Sequence, residues 1–294
     1  MVSKKILTIG AVSVAALAAP VFASHSWSTY HWERTTPEIA VPVVDFTTGE
    51  WAASDRTFIA VQDWNVSDFI QSPYSRGDGT NTSCPLISGQ IHVCNDDYGP
   101  NGWLGIAGIA TTRGKTKHII AGYTKVNDTY FDGDPPGQGY NTDVWRQLVM
   151  CQEIGHDFGL GHQNEDFNTS ITDSCMEYQG NPDSKDKTPD PHDFAQLADI
   201  YAHSHGTDGG GGGGGGGNGN GRGKKLSLSG TGPADWGTPI GRDAQGRPNI
   251  YRRSEASFDV ITHVTWAIGE GPDHHDDHTE GHNGPRQHSG DLHF

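Results

Sequence analysis

Hydrophobic and polar positions between residues 30 and 205 follow patterns that predict an α+β fold. Apolar residues at helical spacing predict a long helix over residues 51–64 and another over residues 192–202. Short apolar or alternating runs predict strands over residues 39–44, 90–93, 103–110 and 117–126. Together these elements predict a small mixed β-sheet with helices packed against it.

Beyond residue 225 the pattern predicts much less structure. One convincing strand is predicted over residues 258–266 and a shorter one over residues 248–251, which together indicate a β-hairpin. Two strands bury too little apolar surface to fold alone. The hairpin therefore either packs back on the preceding domain or pairs with a partner.

One stretch, WRQLVMCQEIGHDFGLGH, carries the candidate chemistry. On a helix, positions i and i+4 lie one turn apart on one face, so Gln152 and His156 can reach one metal ion. Glu153 then lies beside the ion, where its carboxylate can accept a proton from the attacking water. Gly159 can adopt a backbone angle closed to other residues, end the helix and return His162 as a further ligand.

Gln152 is the unusual member of this set. A neutral amide oxygen is a poorer zinc ligand than imidazole, because zinc prefers nitrogen and sulfur donors. Either Gln152 binds through its carbonyl oxygen, or two histidines and another group hold the ion, or no ion is held. A plain core helix with two incidental histidines is the remaining interpretation.

The pattern from Gln152 to His162 resembles the long zinc motif of the metzincin metallopeptidases, with Gln in place of the first His. The later sequence SCMEY, residues 174–178, resembles the Met-turn that lies beneath the metal in that family. The segments NGWLGIA, VMCQEIGH, HQNEDF and HDFAQLADIYAH resemble a group of secreted, mostly bacterial metzincin-like proteins. In that group Gln also stands first in the motif.

This resemblance implies a secreted zinc-dependent endopeptidase that acts on protein or peptide substrates. Gln152, His156 and His162 would hold one zinc ion. Glu153 would act as general base and then as general acid. The alternative implied by Gln152 is a metzincin-like binding protein with weak or no catalysis.

The resemblance also assigns roles around the metal. Tyr178 would stabilise the tetrahedral intermediate or join the ligands, Met176 would shape the floor, and Gly159 would turn the chain. The strand containing Gly105, Ile106 and Ala107 would be the edge strand that binds an extended peptide. Its small residues suit an interior strand equally well.

The chain has four cysteines, at positions 84, 94, 151 and 175. Four cysteines permit three pairings. We favour Cys84–Cys94, which closes a short loop, and Cys151–Cys175, which would tie the active-site helix to the Met-turn.

The N-terminal residues 1–23 are typical of a secretory signal peptide, with Lys4 and Lys5 before an apolar run. This predicts a secreted or periplasmic protein whose catalytic domain covers residues 24–205. A glycine-rich linker would follow over residues 206–225. The C-terminal segment with the hairpin would cover residues 226–270, and a disordered tail rich in His and Asp residues 271–294.

Charge narrows the range of partners. The formal net charge of −16 makes nucleic-acid binding through phosphates improbable.

After the signal peptide no apolar run is long enough to span a membrane. We expect the protein to be a monomer. Asn127, Asp128, Asp132 and Asp134 could bind calcium, but without the spacing of a known calcium loop a solvated loop is the plainer interpretation.

Overall fold

The computed structural model describes residues 25–132, 139–203, 224–227 and 229–272. The predicted signal peptide, most of the predicted linker and the tail beyond residue 272 lie outside the described residues. Within them the chain has an α+β fold with a mixed sheet and six helices. No helix in this part of the chain is both long and apolar enough to cross a membrane.

The described elements fall into strands and helices that interleave along the chain. The strands are β1 (Tyr30–Trp32), β2 (Val43–Asp45), β3 (Tyr74–Arg76), β4 (Leu86–Ile87), β5 (Ile91–Asp96), β6 (Trp103–Thr111), β7 (Lys117–Asn127), β8 (Lys225–Ser227), β9 (Thr238–Arg242), β10 (Pro248–Ser254) and β11 (Asp259–Trp266). The helices are α1 (Gly49–Ala53), α2 (Arg56–Trp64), α3 (Asp128–Phe131), α4 (Asp143–Asp157), α5 (Pro191–Tyr201) and α6 (Pro233–Trp236).

One large sheet organises the described chain. Its strands lie in the order β3-β2-β5-β7-β6-β11-β10-β9, and β1 pairs with the start of β7. The strands from β3 to β7 run parallel, whereas β6, β11, β10 and β9 form antiparallel pairs. A separate pair joins β4 to β8.

Helix α4 packs across β6 and β7 with α2 beside it. Its start is capped by Thr142, whose side chain accepts a hydrogen bond from the Trp145 amide. Gly159 follows its end with a φ of +94°, and a Cβ there would lie 2.4 Å from the Tyr30 carbonyl oxygen. The backbone at the point where the chain leaves α4 is therefore one that only glycine fits.

Two glycines of the sheet, Gly105 and Gly122, leave space for acidic side chains of α4. A Cβ on Gly105 would lie 2.5 Å from Glu153 Oε1, and one on Gly122 would lie 2.9 Å from Asp157 Oδ1. Small residues in β6 and β7 therefore reflect the close approach of α4.

The prediction that Gly105, Ile106 and Ala107 form a free edge strand is wrong for this structure. Strand β6 is interior: Gly105 pairs with Val126 of β7 on one side and with Thr265 of β11 on the other. The small side chains serve packing against α4, as the alternative interpretation held. Because β11 pairs with β6, the C-terminal hairpin packs back on the preceding domain.

The predicted helix over residues 51–64 is interrupted. Asp55 has a φ of +51°, which separates α1 from α2. Trp51 and Trp64 are both fully buried, as the apolar spacing predicted, but Phe58 and Ile59 of the same pattern are exposed because the backbone breaks before them.

Both favoured disulfides are present. The Cα atoms of Cys84 and Cys94 lie 5.9 Å apart, and those of Cys151 and Cys175 lie 6.0 Å apart. The second bridge joins α4 to the segment before Met176, as predicted.

Candidate metal centre

Three histidines from two distant parts of the chain meet beside α4. One ring nitrogen of each of His156, His162 and His263 lies within 4.8 Å of those of the other two. His156 lies on α4, His162 follows Gly159, and His263 lies on β11. Among the described residues this is the one group of His, Cys, Asp and Glu side chains placed to hold a metal ion.

The hydrogen bonds of two rings fix which nitrogens face the centre. His156 Nδ1 lies 2.7 Å from the Leu160 carbonyl oxygen, and His162 Nδ1 lies 3.1 Å from Glu165 Oε1. Since both partners only accept, each Nδ1 donates its proton to that partner, and each Nε2 is the nitrogen that faces the centre. Metal-binding histidines are oriented in the same way by carbonyl and carboxylate groups.

The two Nε2 atoms then face each other 3.1 Å apart. Two lone pairs at this distance repel unless a cation lies between them or one ring is protonated. Burial, and then the neighbouring His162, hold the pKa of His156 well below its usual value, which disfavours protonation. In a tetrahedral zinc site, neighbouring nitrogen ligands lie about 3.3 Å apart. The donor set therefore fits a metal such as zinc.

His263 completes the group from the C-terminal segment. Burial keeps its pKa well below the usual value, and its buried Nδ1 has no hydrogen-bond partner. Its ring centroid lies 4.0 Å from that of His156 and 4.6 Å from that of His162. A neutral buried imidazole with an unpaired nitrogen is a ligand in its binding form.

Gln152 does not take the ligand position predicted for it. Its amide nitrogen donates to the Cys175 carbonyl oxygen at 3.0 Å, and its carbonyl oxygen accepts from the Thr265 hydroxyl at 3.0 Å. Both ends of the amide are thus engaged in the protein. His263, which lies outside the sequence motif, is the third member of the described group.

Glu153 lies on α4 three residues before His156 and is fully buried. Neither carboxyl oxygen makes a hydrogen bond of ordinary geometry. Burial raises its pKa to about 8, against weaker opposing effects of Thr265 and the Ala107 amide. An unpaired buried carboxyl of this kind can hold and release a proton near neutral pH.

Tyr178 and Met176 border the centre from the segment after Cys175. The Tyr178 ring lies 4.3 Å from that of His162 and stacks on Phe167. Its buried hydroxyl makes no hydrogen bond of ordinary geometry, and burial raises its pKa well above the usual value, against a weaker opposing effect of the nearby Asn249 side chain. Met176 packs beneath α4, since its Sδ lies 2.5 Å from the position of a Cβ on Gly155.

The centre is enclosed. His156 is 0% exposed, His263 2% and Glu153 0%. Trp27, from the N-terminal segment, presents its ring to both His156 and His263 at 5.8 and 5.7 Å. Strand β11, which carries His263, and the ring of Trp27 therefore both border the centre.

Sequence reasoning missed His263 and Trp27. In the strand over residues 258–266, alternation places residues 261, 263 and 265 on one face. A His on the same strand face as Ile261 was the available signal. Nothing local marks Trp27, because its contact with α4 depends on the whole fold.

The calcium candidate is less favoured by the described contacts. Asp128 accepts hydrogen bonds from Trp51 and Asn95, and Asp132 pairs with Arg146 at 2.7 Å. These carboxylates are already engaged by protein groups. Asp134 lies outside the described residues.

Comparison with known proteins adds little. No protein-family model matches the chain, and no curated protein matches it. Two solved structures of myroilysin are similar to it. One shares 12% sequence identity with a TM-score of 0.33, over 61% of this chain and 98% of the myroilysin chain. The other shares 11% identity with a TM-score of 0.31, over 65% and 100% of the two chains. A likeness of this size carries no conclusion about the site.

Proposed function

We propose that the chain is a zinc-dependent peptidase of metzincin type in which His156, His162 and His263 hold the metal. The observation that carries the proposal is the approach of His156 Nε2 and His162 Nε2 to 3.1 Å, with His263 beside them. Three histidines with one open position are a donor set of catalytic zinc sites. Glu153, on the same helix, supplies the carboxyl that hydrolysis needs.

Each protein group at the site has a separate role in the proposed hydrolysis of a peptide bond. Zinc, when bound, supplies Lewis acidity toward a carbonyl oxygen. Glu153 takes the proton of the attacking water at a carboxylate oxygen and gives it to the leaving amine. Tyr178 donates its unpaired hydroxyl to the developing oxyanion. Met176 and the Cys151–Cys175 bridge hold the segment around residue 175 against α4.

Export and a peptide substrate belong to the same proposal. The two disulfides suit an oxidising compartment, and the N-terminal sequence is typical of a signal peptide. The monomeric state stays a prediction.

The test compares the mature full-length chain with Glu153→Gln, an isosteric change that removes the proton acceptor. Both proteins carry Asn in place of the six histidines at 274, 275, 278, 282, 288 and 293, which could bind metal themselves. A library of quenched fluorescent peptides is offered to each protein with zinc and with a chelator. We expect cleavage by the wild type with zinc, and a loss of at least about 100-fold in Glu153→Gln with zinc still bound.

Equal cleavage by the two proteins, or cleavage that persists in chelator, would contradict the peptidase proposal. The enclosure of the centre favours a second candidate, a metal-stabilised binding protein without turnover. That candidate predicts one bound zinc per chain, stabilisation by zinc, and no cleavage in either protein.

A further inference from the structure

Gln152 connects three parts of the site. Its amide nitrogen holds the Cys175 carbonyl oxygen, next to Met176, and its carbonyl oxygen holds the Thr265 hydroxyl of β11. The residue is fully buried, so both hydrogen bonds are made away from water. It therefore fastens β11 to α4 at a defined point.

That point lies next to His263 on the same strand face. Thr265 pairs with Gly105 of β6, and His263 pairs with Ala107. Residues two apart on a strand point to the same side, so the bond from Thr265 to Gln152 fixes where the His263 ring meets α4. Without this bond the imidazole is held only by the β6–β11 backbone ladder and by ring packing.

The number of protein ligands also depends on which residue stands at position 152. Position 152 lies one helical turn before His156, on the face from which a histidine could reach the same ion. With His263 already in place, His at 152 would bring a fourth protein ligand and fill the position that a reacting group needs. Gln keeps that position open and orients the strand that carries the replacement.

We propose that Gln152 is a positioning residue and that the third metal ligand has moved from helix α4 to His263 on strand β11. This inference rests on the proposed metal site. Gln152 and His263 act as a pair: the Gln152 side chain holds strand β11, and His263 on that strand supplies the ligand that position 152 does not.

The first test changes the hydrogen bond without touching the helix or a ligand. Zinc affinity is measured by competition with a chelating dye, using the full-length mature chain with the tail histidines replaced by Asn. We expect Thr265→Val to weaken zinc binding about 10- to 100-fold, as loss of outer supporting contacts does elsewhere. Thr265→Ser, which keeps the hydroxyl, should bind within about threefold of the wild type.

Thr262→Val is the matched control. It makes the same change in a buried threonine of the same strand, on the face turned toward Tyr123 and away from α4. We expect it to leave zinc affinity unchanged. If Thr265→Val and Thr262→Val both bind zinc as the wild type does, the positioning role of Gln152 is overturned while the metal site itself stands.

The second test moves the ligand back to the helix. His263→Ala should lose at least about 100-fold in zinc affinity, and Gln152→His with His263→Ala should recover to within about tenfold of the wild type. Cobalt in place of zinc reports coordination by its visible spectrum, and the double variant should give a four-coordinate spectrum. Circular dichroism and thermal unfolding show whether each variant is folded.

The outcomes separate the two proposals. A folded double variant that binds zinc no better than His263→Ala overturns the ligand exchange, although the three-histidine site survives. Full zinc affinity in His263→Ala, or none in the wild type, overturns the proposed site as well. If the double variant does not fold, the comparison of Thr265→Val with Thr265→Ser decides the role of Gln152.

Discussion

At the scale of the residue, the site depends on polar atoms that are buried without partners. Tyr178 and the Nδ1 atom of His263 each place such an atom beside the centre, and Glu153 carries two more on the helix of His156. Leaving a polar atom unpaired costs about 1–3 kcal/mol, so a group of them is unusual unless a ligand satisfies them. Tyr178 and His263 both border His162, where a bound ligand could satisfy their unpaired atoms.

Asp63 on α2 offers a residue-scale prediction about pH. Burial raises its pKa from 3.8 to about 6, against a weaker lowering effect of Lys187. A raised carboxyl pKa means that the folded state holds the proton more tightly than the unfolded state. Stability from Asp63 is therefore lost as the pH rises from about 4 to about 6.

Asp63→Asn should therefore raise the free energy of unfolding at pH 7 by about 1 kcal/mol and change it little at pH 4. Asp68→Asn, which removes the same charge from an exposed position nearby, is the control. Urea unfolding at pH 4, 5, 6 and 7 measures the difference. A gain for Asp63→Asn that is the same at every pH would contradict the assignment.

At the scale of the element, the return of the chain after α4 brings His162 to His156. Gly159→Ala should destabilise the fold by about 3 kcal/mol, because it combines a positive φ with a Cβ 2.4 Å from the Tyr30 carbonyl oxygen. Gly114→Ala is a matched control, with a φ of +118° and no atom within 4 Å of its Cβ. Its cost should be about 1 kcal/mol. Equal losses for the two variants in urea unfolding would show that the close approach to Tyr30 is unimportant.

The elements also show what the sequence could predict. The spacing of Glu153, His156, Gly159 and His162 is local, so the helix, the glycine turn and two of the three proposed ligands could be predicted. The disulfide from Cys151 to Cys175 was also predictable, since Cys151 directly precedes the motif and Cys175 directly precedes Met176.

The third proposed ligand, His263, could not be predicted in the same way. His263 reaches the centre only because β11 pairs with β6, which lies more than 140 residues earlier in the chain. Hydrophobic alternation shows that a strand exists and which residues share a face, but it does not select the partner strand. For the same reason β6 was assigned to an edge although its small residues also fitted the interior.

At the scale of the whole molecule, a bound metal would join the C-terminal segment to α4. Zinc at about 100 times its dissociation constant should therefore stabilise the fold by about 2.7 kcal/mol. The gain should disappear in chelator and in His156→Ala, but persist in His118→Asn, which changes a half-buried histidine outside the centre. Thermal unfolding with the tail histidines replaced by Asn measures this. The same gain in His156→Ala would place the stabilising metal elsewhere.

The most direct measurement is the zinc content of the full-length mature chain with its six tail histidines replaced by Asn, by elemental mass spectrometry after dialysis. The three-histidine centre predicts close to one zinc per chain in this protein. It predicts almost none in the same protein with His263→Ala, provided that circular dichroism shows both to be folded. A folded protein without zinc, or one zinc retained in His263→Ala, would contradict the account.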